Sequence, residues 1–266
     1  MAAEVFRRGV SDHRRALVAW CIGIAAYVGL IAAIYPSIEG SVEFDELVES
    51  YPDALKALFG LEGGSITTGA GYLDVELFSL MLPLLVLVLA IGSGARTFAG
   101  EEDAGRLELP LSYPVRRSAT VLAKGAAVAL EVVAACASAG VAMALLDPAV
   151  GLELSAPNLV SACVSVAALG ILFGWFALAL GAAFPSRAIA IGLPAGIAAV
   201  SYLVGGLHSL ADWLDPFRYV SPFWLVGTAP LRNGADTIGV LALFLVAALV
   251  LLAGAWLVER RDLETP

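Results

Sequence analysis

Six long apolar runs, separated by shorter charged gaps, decide the solvent of this chain before anything else about it. They lie at 16–35, 77–95, 119–146, 159–184, 188–207 and 238–258. Each is close to the roughly 20 residues a helix needs to cross a hydrocarbon layer of about 30 Å. Spanning strands fit poorly, because they alternate apolar and polar residues. Residues 82–91 read LPLLVLVLAI, apolar on every side, and a helix satisfies its own backbone groups in lipid.

Composition agrees with that reading. Hydrophobic residues make up 60% of the chain and charged residues 15%, where a soluble domain carries about 25% charged. Mean hydropathy is +0.88. The expected architecture is an all-α integral membrane protein, a single transmembrane domain over 1–266, with an outer loop at 36–76 and no separate soluble domain. A net charge of −9 makes nucleic acid a poor partner. Cys21, Cys136 and Cys163 all fall inside predicted spans without C-x-x-C spacing, and His13 and His208 are far apart, so no metal site is expected. The basic start followed by a long apolar run reads as a retained first helix rather than a cleaved signal.

Charge sets the expected orientation. Twelve of the 15 Lys and Arg residues fall in the N-terminus, the second gap, the fourth gap and the tail. Lys56, Arg218 and Arg232 are the remaining three. The positive-inside rule then puts both termini in the cytoplasm, which an even number of spans satisfies. The first outer loop is acidic, with Glu39, Glu43, Asp45, Glu46, Glu49, Asp53, Glu62, Asp74 and Glu76. Its apolar residues recur at helical spacing, predicting an amphipathic helix over 42–59 broken near Pro52. At the other end of the first span, 4–15 combines Val5, Phe6 and Val10 with four arginines. An amphipathic interfacial helix on the inner leaflet fits that pattern.

The gap between spans two and three, 96–118, carries the most information. It places Glu101, Glu102 and Asp103 ahead of Leu107, Leu109 and Leu111, then Tyr113-Pro114 and Arg116-Arg117. Regular apolar residues in a charged linker point to a short helix that docks on something. Pro110 and Pro114 bracket its end.

This segment resembles the cytoplasmic loop of type-2 ABC transporter permeases, in which a run close to GEEExGTLxLLLSYPVSRxxxxxxK joins the second and third spans. The matching residues are Gly100, Glu101, Glu102, Gly105, Leu107, Leu109, Leu111, Ser112, Tyr113, Pro114, Val115, Arg117 and Lys124. Arg106 stands where the family often has Thr, and Pro110 where it often has Leu. The basic start is similar to the family's elbow helix. Residues 211–234 are similar to its outer segment between spans five and six, where short helices dip back toward the membrane. The resemblance implies a coupling helix in the 96–118 loop that sits against an ATPase subunit. Glu101, Glu102, Gly105, Leu107, Leu109, Leu111, Tyr113, Pro114 and Arg117 would make that interface. It also implies two ABC ATP-binding subunits per complex, a second permease copy or paralogue, and a prokaryotic cytoplasmic membrane. ATP and Mg would be bound by the ATPase, with no cofactor in this chain. In keeping with this, no G-x-x-x-x-G-K-[ST] occurs here, and no catalytic constellation is recognisable.

Four further features are candidates for function. Glu131 lies seven residues past Lys124, roughly 10 Å deeper along a helix. A carboxylate there costs about 2.5–3.5 kcal/mol unless it faces protein or water. It either lines the pathway or makes an interhelix contact. Gly170–Gly174 and Gly192–Gly196 are small-residue pairs that suit close helix packing, within the chain or at a dimer seam. Trp213, Phe217, Tyr219, Phe223 and Trp224 cluster outside span five. They form either an interfacial belt or, through Trp213, Phe223 and Trp224, an outer gate. The function expected is the membrane-spanning permease subunit of an ATP-driven exporter. The alternatives are a stand-alone secondary transporter or channel, and a non-transporting membrane scaffold.

Overall fold

The computed structural model describes residues 2–61, 66–97, 117–184, 186–227 and 229–260, with side chains from Arg14 onward except that of Arg117. Among the described residues the fold is helical, with no strand. Six helical stretches are long and apolar enough to cross a membrane: Arg14–Ser37, Gly69–Thr97, Ser118–Val150, Ala156–Ala183, Arg187–Leu210 and Thr237–Arg260. The expected six-span, all-α architecture is present, and the chain is a multi-pass membrane protein.

Helix α1 (Ala2–Ile34) is unbroken, so the amphipathic start runs directly into span one. The acidic loop carries α2 (Val42–Glu49) and α3 (Asp53–Phe59), split at Pro52, which has no N–H to continue a helix. Gly60, at φ 66°, turns the chain out of α3 in the left-handed conformation that glycine tolerates.

Span two is composite. It begins at Gly69 rather than 77, with α4 (Gly69–Leu73), a π-helical turn at Asp74–Phe78, and then α5 (Met81–Thr97). Thr68 caps α4, accepting a hydrogen bond from the Gly71 amide at 3.2 Å. Span three is α6 (Arg117–Val150), whose Pro148 lies in the last turn before Gly151 leaves the helix at φ 72°. Span four is α7 (Ala156–Ala183), and span five starts with α8 (Arg187–Leu207), capped by Ser186. Short helices α9 (Pro222–Leu225) and α10 (Pro230–Asn233) precede span six, α11 (Thr237–Arg260). Proline in the first turn of α9 and α10 removes an N–H that would lack a partner anyway.

Span four is the hub. Spans two, three and six pack around it, span one packs on span three, and span five rests on the edge formed by spans two and four. Glycine lets these helices approach. A Cβ on Gly94 would collide with the Gly174 carbonyl oxygen, and one on Gly254 would stand 2.8 Å from the Ala179 Cβ. The alternating directions of the spans gather Arg14, Arg15, Arg96, Arg187 and Arg260 at one end, the basic end. The acidic loop and α9–α10 lie at the other.

Candidate functional site

At the basic end, spans two and three are bound together by buried polar groups. Ser93 is 1% exposed and Glu131 4%. The Ser93 hydroxyl donates to Glu131 Oε2 at 2.5 Å, and Arg96 Nη2 donates to Ser93 Oγ at 3.2 Å. Lys124, also buried, donates from Nζ to the Thr97 carbonyl. Local sequence explains the alignment. Ser93, Arg96 and Thr97 sit at i, i+3 and i+4 on one face of α5, and Lys124 and Glu131 are two turns apart on one face of α6. Lys124 also answers a physical need at the end of α5. The last four carbonyls of a helix have no intrahelical donor, and the helix dipole favours a cation there. Trp175 of span four adds a third helix, donating from Nε1 to the Gly125 carbonyl at 2.8 Å.

These contacts stand at the roots of the 98–116 segment. Glu101, Glu102, Gly105, Leu107, Leu109, Leu111, Tyr113 and Pro114 lie outside the described residues. Arg117 opens α6 without a described side chain. Glu131, which had to face protein or water, faces span two. Ser93 and Arg96 escaped the sequence reading, although two polar residues one turn apart at the end of an apolar run were a usable signal.

The acidic end holds a second buried polar centre, which sequence reasoning missed. Asp74 is 3% exposed. Its carboxylate accepts from the Leu231 amide at 2.9 Å and from both the amide and Nε of Arg232 at 3.2 Å. Asn158 of span four donates to the Leu231 carbonyl at 2.8 Å, and the Ala235 amide donates to Ser161 Oγ at 3.3 Å. Span two and span four thus hold α10 from opposite sides. The Asp74 charge is paired and hydrogen-bonded three times, which is how a buried carboxylate is tolerated.

The two glycine pairs have different surroundings. A Cβ on Gly170 would stand 2.5 Å from Val86 Cγ1, and one on Gly174 would stand 2.9 Å from Val128 Cγ1. Around Gly192 and Gly196 no described residue lies within 4 Å of an added Cβ. The aromatic residues are also distinct. Trp213 is 71% exposed. Trp224 stacks edge-on to Tyr219 at 5.1 Å, and Phe223 edge-on to Tyr202 of span five at 5.3 Å.

Two cavities adjoin that last pair. An apolar groove of about 550 Å³ runs between spans two and five, lined by residues such as Leu84, Leu87, Val88, Ile191, Ala195 and Ala199. A smaller chamber of about 80 Å³ lies toward the acidic end, lined by Asp74, Ser79, Ser165, Leu58 and Gly206 among others. Tyr202 and Phe223 line both.

Six apolar spans with buried polar centres at both ends and an apolar groove between two of them make a multi-pass helical membrane protein. A family model described as "Multidrug efflux system permease Rv1217c, C-terminal domain" matches residues 10–258. The chain belongs to that efflux permease family. A comparison with curated proteins returned no match.

Proposed function

We infer that this chain is one permease domain of an ATP-driven ABC exporter, working as a pair with a second copy or paralogue. Two separate ATPase subunits would bind ATP and Mg and engage the 96–118 loop. The single observation carrying this reading is the polar binding of spans two and three at the roots of that loop. Lys124 to Thr97 and Ser93 to Glu131 join the two helices, so a displacement of the loop enters both as one body. Span two also walls the groove, so the same displacement changes the groove. Nucleotide shifts the equilibrium between inward and outward states only through unequal affinity for them, and a mechanically continuous path supplies that coupling.

Three further points support the reading. The basic end suits a cytoplasmic face, with both termini inside a prokaryotic cytoplasmic membrane. The outward Gly192 and Gly196 on span five leave room for a second helix to approach. The matching family model describes one domain of a multidrug efflux permease, as suits a chain that completes its pathway with a second such unit.

The test is co-purification with an ATP-binding subunit from the native host. Glu101→Lys with Glu102→Lys should release the ATPase and abolish ATP-dependent efflux, while the permease remains folded. Retained assembly and efflux after that change would remove the coupling role of the loop.

A further inference from the structure

The groove and the chamber differ in chemistry as well as size. Among the described residues no charged side chain lines the groove, whereas the chamber wall includes Asp74, Ser79 and Ser165. The described residues common to both are Tyr202 and Phe223, whose rings meet at 5.3 Å and 75°. At about 550 Å³ the groove is large enough for a drug-sized molecule, and at about 80 Å³ the chamber is not, since ligand pockets run about 300–1,000 Å³. A solute passing from one to the other needs the chamber to expand.

The chamber walls are unequal in strength. One side is α10, held by the buried Asp74–Arg232 pair and by Asn158. The other is α3, which has no buried residue. Among the described residues, its hold on span five is the Tyr202 hydroxyl donating to the Leu58 carbonyl at 2.9 Å and the close seating of Leu58 on Gly206. A Cβ on Gly206 would stand 3.2 Å from Leu58 Cα, so the glycine is what admits α3. The neighbouring Gly205 admits α9 in the same way, since a Cβ there would stand 2.8 Å from Ser221 Oγ. The α2–α3 segment lies between two glycines in the left-handed conformation, Gly40 at φ 67° and Gly60 at φ 66°. Few buried contacts and one hydrogen bond to its seat mark an element that opens at low cost.

We propose that α3 is an outer lid on the solute path and Tyr202 its latch, with the Tyr202–Phe223 ring pair as the valve between groove and chamber. This rests on the exporter reading and names its cargo class: neutral, apolar or amphiphilic molecules that the uncharged groove accepts. Release requires the Tyr202–Leu58 bond to break and α3 to rise, and the Asp74–Arg232 side stays in place.

The experiment uses the full chain in its assembled complex, with Cys21, Cys136 and Cys163 replaced by alanine. Gly60→Cys at the end of α3 with Ser79→Cys on span two puts two Cβ atoms 4.0 Å apart, within disulfide reach across the edge of the lid. Oxidation should form the bond and stop efflux of a neutral lipophilic dye, reduction should restore it, and ATPase co-purification should not change. Failure of the disulfide to form, or full efflux by the locked protein, overturns the lid. A second measurement does not need transport. In the same background, Tyr202→Phe should raise the rate at which a membrane-impermeant thiol reagent labels Ser79→Cys by about fivefold, the factor set by one net hydrogen bond. Unchanged labelling overturns the latch. If the unlocked complex shows neither bound ATPase nor ATP-dependent efflux, the exporter reading fails while the labelling result still decides the latch.

Discussion

Spans four and five look alike as strings of residues. Both are apolar on every side, and each carries a glycine pair with spacing four, Gly170–Gly174 and Gly192–Gly196. Yet span four is buried along most of its length, and span five presents most of its residues outward. Valines from two different helices fill the space over the first pair, Val86 and Val132 over Gly170 and Val128 over Gly174. No described residue fills the space over the second. Lipid tails are as apolar as leucine, so apolarity alone cannot choose which helix goes to the centre. Complementary shape chooses, and the second pair is left as a surface for something else.

The largest way to break the buried side acts at its acidic-end anchor. Asp74→Ala leaves Arg232 and two amides without their acceptor, and should cost about 3–5 kcal/mol. Thermal unfolding in detergent, followed by tryptophan fluorescence, reads this directly. A loss under about 1 kcal/mol would mean that the pair only accompanies the fold.

Next comes the packing itself. Gly174→Val overfills the contact with Val128 and Ala90 and should destabilise by about 1–3 kcal/mol. The same substitution at Gly192 should stay within about 0.5 kcal/mol. Equal losses at the two positions, measured in the same detergent, would erase the contrast between the spans.

The polar roots of the loop give an effect no larger than that. Ser93→Ala removes the donor to Glu131 and should cost about 1–3 kcal/mol at most, because the carboxylate loses a partner in a buried setting. Glu131→Gln should change export of cations more than of neutral solutes, since it removes charge and keeps an acceptor. Equal changes for both classes would leave Glu131 with a structural role alone.

Gly192→Leu with Gly196→Leu sharpens the comparison from the other side. Unfolding should barely move, while cross-linking between copies in membranes should fall. Unaltered cross-linking would show that span five does not meet its partner through this face.

Much of the fold was legible locally. Six runs of apolar residues were sufficient for six spans, because hydrocarbon obliges every backbone group to be satisfied within its own helix. Pro52 marked the division between α2 and α3 for an equally local reason, its missing N–H. The start of span two was not legible. Asp74 and Glu76 read as loop residues, since a carboxylate in an apolar helix is costly by itself. Asp74 becomes acceptable through Leu231 and Arg232, the latter 158 positions away. The same holds for the lid. Gly205 and Gly206 are unremarkable in a chain with 27 glycines, until α3 and α9 are seen resting on them.

The candidate site divides in the same way. Glu131 stood out because it is a carboxylate in the middle of an apolar run. Its partner Ser93 did not, nor did Arg96, which donates to Ser93, because a hydroxyl and a guanidinium at a helix end are ordinary until another helix brings a carboxylate to the hydroxyl.

What the amino-acid order determined alone is the solvent, the number of spans and the separation of basic from acidic ends, each a property of one segment at a time. What tertiary structure decided is which glycine pair is filled, which carboxylate is paired and which outer helix is held loosely. Those are properties of two surfaces meeting, and the free energy of a contact belongs to both sides of it.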